Sequence, residues 1–353
     1  MKRHLITLLK VVVSVGILAF LGYRASQDNA FGDLRDRFFD PGFNWWLLGA
    51  AWLACGIAVE FTIVRWWVLV RALRMPIGLA EAHRVGFLGY LFNLAPMGVV
   101  GGDVLKAVLL ARHLSGRRTQ ALATVIVDRV IGLYMLFVVA SAAVWFTGLL
   151  QHPNENVRYV AQGTLWTLLI FTTVLVVPFI PGVTDGPLAR QLQRLPYIGA
   201  PLGHFIDAVH MYRRNLGVLA LTVVMSVFVH TFFAIGIYLI TLGIYGGDVA
   251  QLSLAGEFVV SPLSAATGVI PVSVGPMEAV LDLLYVGVFG MAKGQGFVVA
   301  LGYRIVTLLI AMVGVGYYLT SREELTEAMH EAEEIEEQGE MPLEAVEGEP
   351  ARA

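Results

Sequence analysis

The sequence predicts an all-α polytopic membrane protein, and three observations predict it. Hydrophobic residues make up 57% of the 353 and charged residues only 14%. Apolar windows of spanning length recur along the chain, and two further apolar stretches are each interrupted by Gly, Pro and an acidic residue. A soluble domain carries roughly a quarter charged residues and has no interior able to absorb so much apolar side chain. A bilayer does, because a helix of about 20 apolar residues crosses its hydrocarbon while satisfying its own backbone.

Six windows read as full spans: Leu5 to Tyr23, Trp45 to Val70, Ala121 to Leu149, Tyr159 to Ile180, Leu216 to Tyr245 and Phe297 to Leu319. The first reads as a retained helix and not a signal peptide: its apolar stretch is longer than a signal core, Lys10 sits within it, and Arg24 to Asp28 makes a poor cleavage site. The single cysteine, Cys55, excludes an internal disulfide, a cysteine zinc cluster and an iron–sulfur site. From Arg322 onward twelve Glu stand against two Arg. That tail has almost nothing to bury, so the expected domains are a transmembrane body over 1–321 and an acidic tail over 322–353, disordered after a short helical start.

The interrupted stretches differ in kind from the spans. Val85 to Leu110 is broken by Asn93, Pro96, Gly98, Gly101, Gly102 and Asp103; Leu254 to Phe289 is broken by Pro262, Gly268, Pro271, Gly275, Pro276 and Glu278. Each reads as two half-helices. Segments 65–84, 112–118 and 182–214 carry four, three and four Lys or Arg, against three, one, none and one in 24–44, 151–158, 246–252 and 290–296. The positive-inside bias therefore places the first group in the cytoplasm. For 65–84 and 112–118 to share a side, the broken segment between them enters and leaves by one face as a re-entrant hairpin. The second enters from the opposite face, with both termini cytoplasmic. Segment 182–214 mixes Arg with Leu, Phe and Tyr, which suits an interfacial helix or a polar loop equally well.

A fixed offset of 175 residues relates the two breaks: Pro96, Asp103 and Arg129 map onto Pro271, Glu278 and Arg304. Corresponding Gly/Pro breaks in halves of opposite topology point to an inverted repeat with a midplane site, since freed backbone groups are tolerated only in protein or beside a wet cavity. The half-helix ends offer donors and partial positive charge to an anion. Gly101 and Gly102 admit a head group close to the backbone.

Ionisable groups at membrane depth cost on the order of 3 kcal/mol, so they need partners. Asp103 pairs naturally with Arg129, and Glu278 with Arg304. Two readings stand: salt bridges that lock each hairpin to its neighbouring span, or, in addition, arginine forks presented to a lipid phosphate, with Lys106 assisting and Asp128 beside them. Arg65 reads as snorkelling to the interface, Asp282 and Glu257 as interfacial, and His230 as a packed helix residue. A face shared by Glu278 and Asp282 makes a proton-coupled carboxylate conceivable. The chain has no phosphate-binding loop, metalloprotease motif or nucleophile elbow, so neither catalysis nor a cofactor is expected, and no nucleic-acid module is recognisable.

The order Arg65-Trp66, Asn93-x-x-Pro96-x-Gly98-x-x-Gly101-Gly102-Asp103, Asp128-Arg129-x-x-Gly132, then Pro271-x-x-x-Gly275-x-x-Glu278 with Tyr303-Arg304, resembles the lysylphosphatidylglycerol synthase transmembrane family of flippase-like bacterial membrane proteins. The likeness runs from Leu5 to Leu319. It implies a bacterial inner-membrane protein that moves, or helps to move, an anionic phospholipid or lipid-linked head group between leaflets. The residues after Leu319 read as an acidic tail and not as the soluble aminoacyl-transferase domain of bifunctional members, so synthesis of lysylphosphatidylglycerol is not expected, and Ser273 and Pro276 stand where such proteins are more Gly-rich. The expected function is lipid flipping, with Arg129 and Arg304 on the lipid phosphate in a cavity between the hairpins. The alternatives are a non-transporting partner of a lipid-modifying glycosyltransferase or synthase and, more weakly supported, an intramembrane enzyme using Asp103 and Glu278 as acid and base.

Overall fold

The computed structural model describes residues 15–23, 25–27, 30–38, 43–94, 101–113, 117–176, 199–246, 249, 251–270, 272, 274–322 and 325–329. The described residues are helical, with turns and no strand. Residues 15–23 are helical and continue the first apolar window, whose earlier part lies outside the described residues. Then come α1 (Ala30–Phe38), α2 (Trp45–Ala72), α3 (Leu79–Leu94), α4 (Gly102–His113), α5 (Arg118–Thr147), α6 (Glu155–Val176), α7 (Gly199–Tyr212), α8 (Leu216–Tyr245), α9 (Leu254–Ala265), α10 (Pro276–Phe289) and α11 (Gln295–Thr320).

Five of these, α2, α5, α6, α8 and α11, are long and apolar enough to cross a membrane. Each coincides with an expected span to within a few residues. Their ends follow from local chemistry. The side-chain oxygen of Asn44 accepts the N–H groups of Trp46 and Leu47 at 3.1 and 3.3 Å and so caps α2. Arg74 in the left-handed region, followed by Pro76, stops that helix. Trp46 is 89% exposed at the start of α2 and Phe146 84% exposed at the end of α5. Large aromatic groups at span ends suit the bilayer interface, where their apolar bodies leave water.

The broken stretches each form a packed helix pair, α3 with α4 and α9 with α10. Their four helices contain 16, 12, 12 and 14 residues. At about 1.5 Å per residue, none reaches across a hydrocarbon core of about 30 Å.

The chain divides into two compact units. One comprises Met1–Thr62, Gly132–Thr172 and Val223–Ile310, and holds the α9–α10 pair; the other comprises Ile63–Ile131, Thr173–Thr222 and Ala311–Ala353, and holds the α3–α4 pair. In the second unit the part of 182–214 that is described forms helix α7, whose Ala208, Val209 and Tyr212 are buried. The Tyr212 hydroxyl donates to the Leu69 carbonyl at 2.8 Å.

That unit also extends past the expected boundary at 321. Residues 325–329 are helical, and Leu325 and Ala328 pack into a core with Trp66, Leu88 and Leu105, while Arg112 pairs with Glu327 at 3.1 Å. Ending the chain after Arg322 therefore exposes that core and removes Leu325, whose burial is worth about 1.5–3 kcal/mol. Thermal unfolding in detergent should show a lowered midpoint for this truncation and an unchanged one when the chain ends after His330.

Candidate functional site

In the second unit the α3–α4 pair is held by backbone contact. A Cβ added at Gly102 would collide with the Gly89 carbonyl and approach the Asn93 side-chain oxygen to 2.9 Å; one added at Gly89 would meet the stem of Lys106. The pair of glycines therefore lets two helices approach more closely than any side chain permits. Pro96 and Gly98 lie outside the described residues.

That approach places Asp103, in the first turn of α4, opposite Arg129 on α5. The guanidinium holds the carboxylate in a fork, Nη2 on Oδ1 and Nε on Oδ2. Asn93 donates to the same carboxylate at 3.5 Å. The pair is open: the Arg129 side chain is 56% exposed and that of Asp103 32%.

One residue before Arg129, Asp128 turns the other way on α5. Its Oδ1 accepts Arg65 Nε at 2.8 Å and its carbonyl accepts Arg65 Nη2 at 3.3 Å. Arg65 therefore does not snorkel. It is buried with Asp128 and joins α2 to α5, because a carboxylate within reach in the protein is a better partner than a distant interface. Lys106, one turn beyond Asp103, is also buried, its ammonium 5.4 Å from the Trp66 ring centroid. It interacts electrostatically with Asp103, Asp128, Arg65 and Arg129. Around α4, with α2 and α5 contributing, three cations and two carboxylates thus cluster, and the cation most open at the surface of the cluster is Arg129.

In the first unit the corresponding acid and arginine also meet, but with different exposure. Gly275 has φ 111°, a conformation only glycine adopts readily, and Pro276 opens α10 directly after it. Glu278 Oε2 accepts the Gly275 N–H at 2.8 Å, and Oε1 receives Arg304 Nε at 3.1 Å as well as Nη2. The side chains are 17% (Arg304) and 2% (Glu278) exposed. Glu278 is thus committed on both oxygens, one capping the break and one holding α11. The expectation that half-helix ends leave donors for an anion fails at Gly275, whose N–H this carboxylate takes. Pro271 lies outside the described residues.

Two carboxylates expected at the interface are buried. Asp282 Oδ1 accepts the Gly294 and Phe297 N–H groups at 2.9 and 3.2 Å, capping α11. Glu257 is 0% exposed, with the Tyr285 hydroxyl 3.2–3.3 Å from its two oxygens. His230 is packed as expected, its Nε2 3.0 Å from the Gly132 carbonyl. Sequence reasoning had no signal for the partner of Glu257, which sits 28 residues away on another helix. It also passed over Gly89, whose only cue is a glycine inside a helical pattern. Among the described residues no three His, Cys, Asp or Glu side chains gather as metal ligands.

Comparison with known proteins finds relatives among membrane proteins. The sequence signature described as "Lysylphosphatidylglycerol synthase TM region" matches residues 7–314. The chain is also 22% identical over 273 residues, 72% of its length and 78% of the relative's, to a protein of Methanothermobacter thermautotrophicus described as a UPF0104 membrane protein.

Proposed function

Because the chain belongs to the lysylphosphatidylglycerol synthase transmembrane family, we propose that it is a lipid flippase, moving an anionic phospholipid or lipid-linked head group between the leaflets of the plasma membrane, with both termini cytoplasmic and no catalytic step of its own. The observation that carries this reading is the open Arg129–Asp103 fork within a cluster of three cations and two carboxylates. A surplus of positive charge beside a helix pair too short to span calls for an anionic partner, and a planar guanidinium suits a phosphate. Arg129 takes the phosphate in this reading. Arg304, enclosed with Glu278, holds the second helix pair together and does not bind lipid directly. Lys106 tunes the first pair from within the protein, and Asn93 does so from its exposed side.

The test is leaflet-resolved translocation in proteoliposomes holding fluorescent phosphatidylglycerol or phosphatidylcholine, with the outer leaflet quenched by dithionite. The expected result is loss of the protected signal at a higher rate for phosphatidylglycerol than for phosphatidylcholine. A rate equal to that of protein-free vesicles for both lipids, and for a lipid-linked sugar phosphate, would leave the alternative of a non-transporting partner that recruits a lipid-modifying enzyme.

A further inference from the structure

Within the unit that holds α9 and α10, charge is unbalanced in the opposite sense to the Arg129 cluster. Asp282 is satisfied by backbone N–H groups and Glu278 by Arg304, but among the described residues Glu257 has neither. It lies in the first turn of α9, one turn beyond the exposed cap Ser253, and is wholly buried. Among the described residues no Lys, Arg or His forms an ion pair with it. Its hydrogen-bonding neighbour is Tyr285 on α10, whose hydroxyl lies 2.7 Å from Thr241 Oγ1 on α8; Thr241 in turn donates to the Ile237 carbonyl at 2.9 Å. Among the described residues Tyr245 on α8 is a further titratable group near Tyr285, and its hydroxyl donates to the Gln295 carbonyl. Two residues further along α9 and on its opposite face, Val259 packs against Ala143, Val144 and Leu149 from α5 and the loop after it, and Val157 and Ala161 from α6, none of which titrates. The buried face of α9 continues as Ser261 and Ser264, and Ser264 Oγ, fully buried, makes no hydrogen bond to any described residue.

We infer that Glu257 is a proton-binding site built into the second helix pair, and that the proton it takes up is coupled to lipid movement; the coupling, though not the site, rests on the flippase reading above. A buried carboxyl without a counter-charge is relieved by a proton. With Glu257 protonated, its O–H donates to Tyr285, Tyr285 donates to Thr241, and Thr241 donates to the Ile237 carbonyl: one directed chain tying α9, α10 and α8. Release of the proton to water through the Ser253 end reverses the Tyr285 hydroxyl onto the carboxylate and leaves Thr241 without its donor. One proton therefore changes which helices are joined by hydrogen bonds, with no other bond made or broken. Ser261 and Ser264 extend a polar line from the carboxyl along the buried face of α9.

The experiment has two arms on the full chain. In the first, an infrared pH titration of wild type and Glu257→Gln tracks the carbonyl band of protonated carboxyl groups; Gln keeps the shape and neutrality of the protonated form, so the variant folds. An ordinary Glu, with a pKa of about 4.3, is almost wholly ionised at about pH 7. A band present in wild type at about pH 7 and missing from Glu257→Gln is expected; a wild type without it overturns the site. In the second arm, proteoliposomes carrying phosphatidylglycerol are given a pH difference across the bilayer. For one proton per lipid, each unit of pH should move the leaflet ratio about tenfold, and Glu257→Gln should move lipid identically with and without the gradient. Lipid movement that ignores the gradient in wild type overturns the coupling. No lipid movement at all, with the infrared band intact, defeats the flippase reading and the coupling with it, but leaves the proton site standing.

Discussion

Arg304→Gln is expected to cost the protein its fold, whereas Arg129→Gln is expected to cost only its activity. The two arginines occupy equivalent places relative to their acids, each 26 residues further along the chain. Their surroundings decide the difference. Removing the Arg304 guanidinium leaves Glu278, 2% exposed, as an uncompensated carboxylate, a change that costs about 3–5 kcal/mol when a buried pair is broken from one side. The double change Glu278→Gln with Arg304→Gln should restore folded yield, because a Gln oxygen still accepts the Gly275 N–H. Arg129 is 56% exposed, so its loss leaves Asp103 in contact with polar surroundings and Asn93. Detergent-extracted yield and thermal midpoint should fall sharply for Arg304→Gln and stay within error for Arg129→Gln. Lipid translocation should be absent in Arg129→Gln and only partly rescued by Arg129→Lys, which keeps the charge but loses the fork. Full translocation by Arg129→Gln would remove the phosphate from that site.

The second large effect comes from a single methyl group. Gly102→Ala places a Cβ against the Gly89 carbonyl, and backbone on both sides leaves no rotamer able to move away. The cost should reach or exceed the top of the range of about 1–3 kcal/mol typical of overpacking. The variant should be poorly expressed, or fluorescence quenching between probes on α3 and α4 should show the pair spread apart. Gly101→Ala is the matched control. Gly101 is exposed and its added Cβ would meet no described atom within 4 Å, so the folded protein should be unaffected. If a lipid head group approaches the backbone there, the same change should still slow translocation. Stability and rate measured on the two variants separate a packing role from a ligand-facing one. A stable, active Gly102→Ala would mean that α3 and α4 do not pack as described.

The spans were legible because hydropathy records length, and in a bilayer both the lipid-facing and the core-facing sides of a helix are apolar. That same uniformity hides rotation. Nothing in the apolar pattern of α2 announces that Arg65 turns inward to Asp128, a residue 63 positions away. The spacing of acid and arginine around each break made the pairs Asp103–Arg129 and Glu278–Arg304 readable, since a charge at that depth must find its opposite and few were available. Asp282 and Glu257 were misread as interfacial for a related reason: a carboxylate near the end of an apolar segment reads as solvated unless a neighbour supplies donors, and those donors came from the start of α11 and from Tyr285.

Composition, apolar length and the placing of Gly, Pro and charge thus determined by themselves that the chain spans a membrane, where its helices break, and which acids answer which arginines. Only the tertiary structure decided that one of these pairs is open and the other enclosed, that two glycines seat α3 on α4, and that Glu257 is buried with no cation paired to it among the described residues. Exposure and desolvation depend on what other helices cover, and that is a property of packing between residues distant in the chain, which no local pattern encodes.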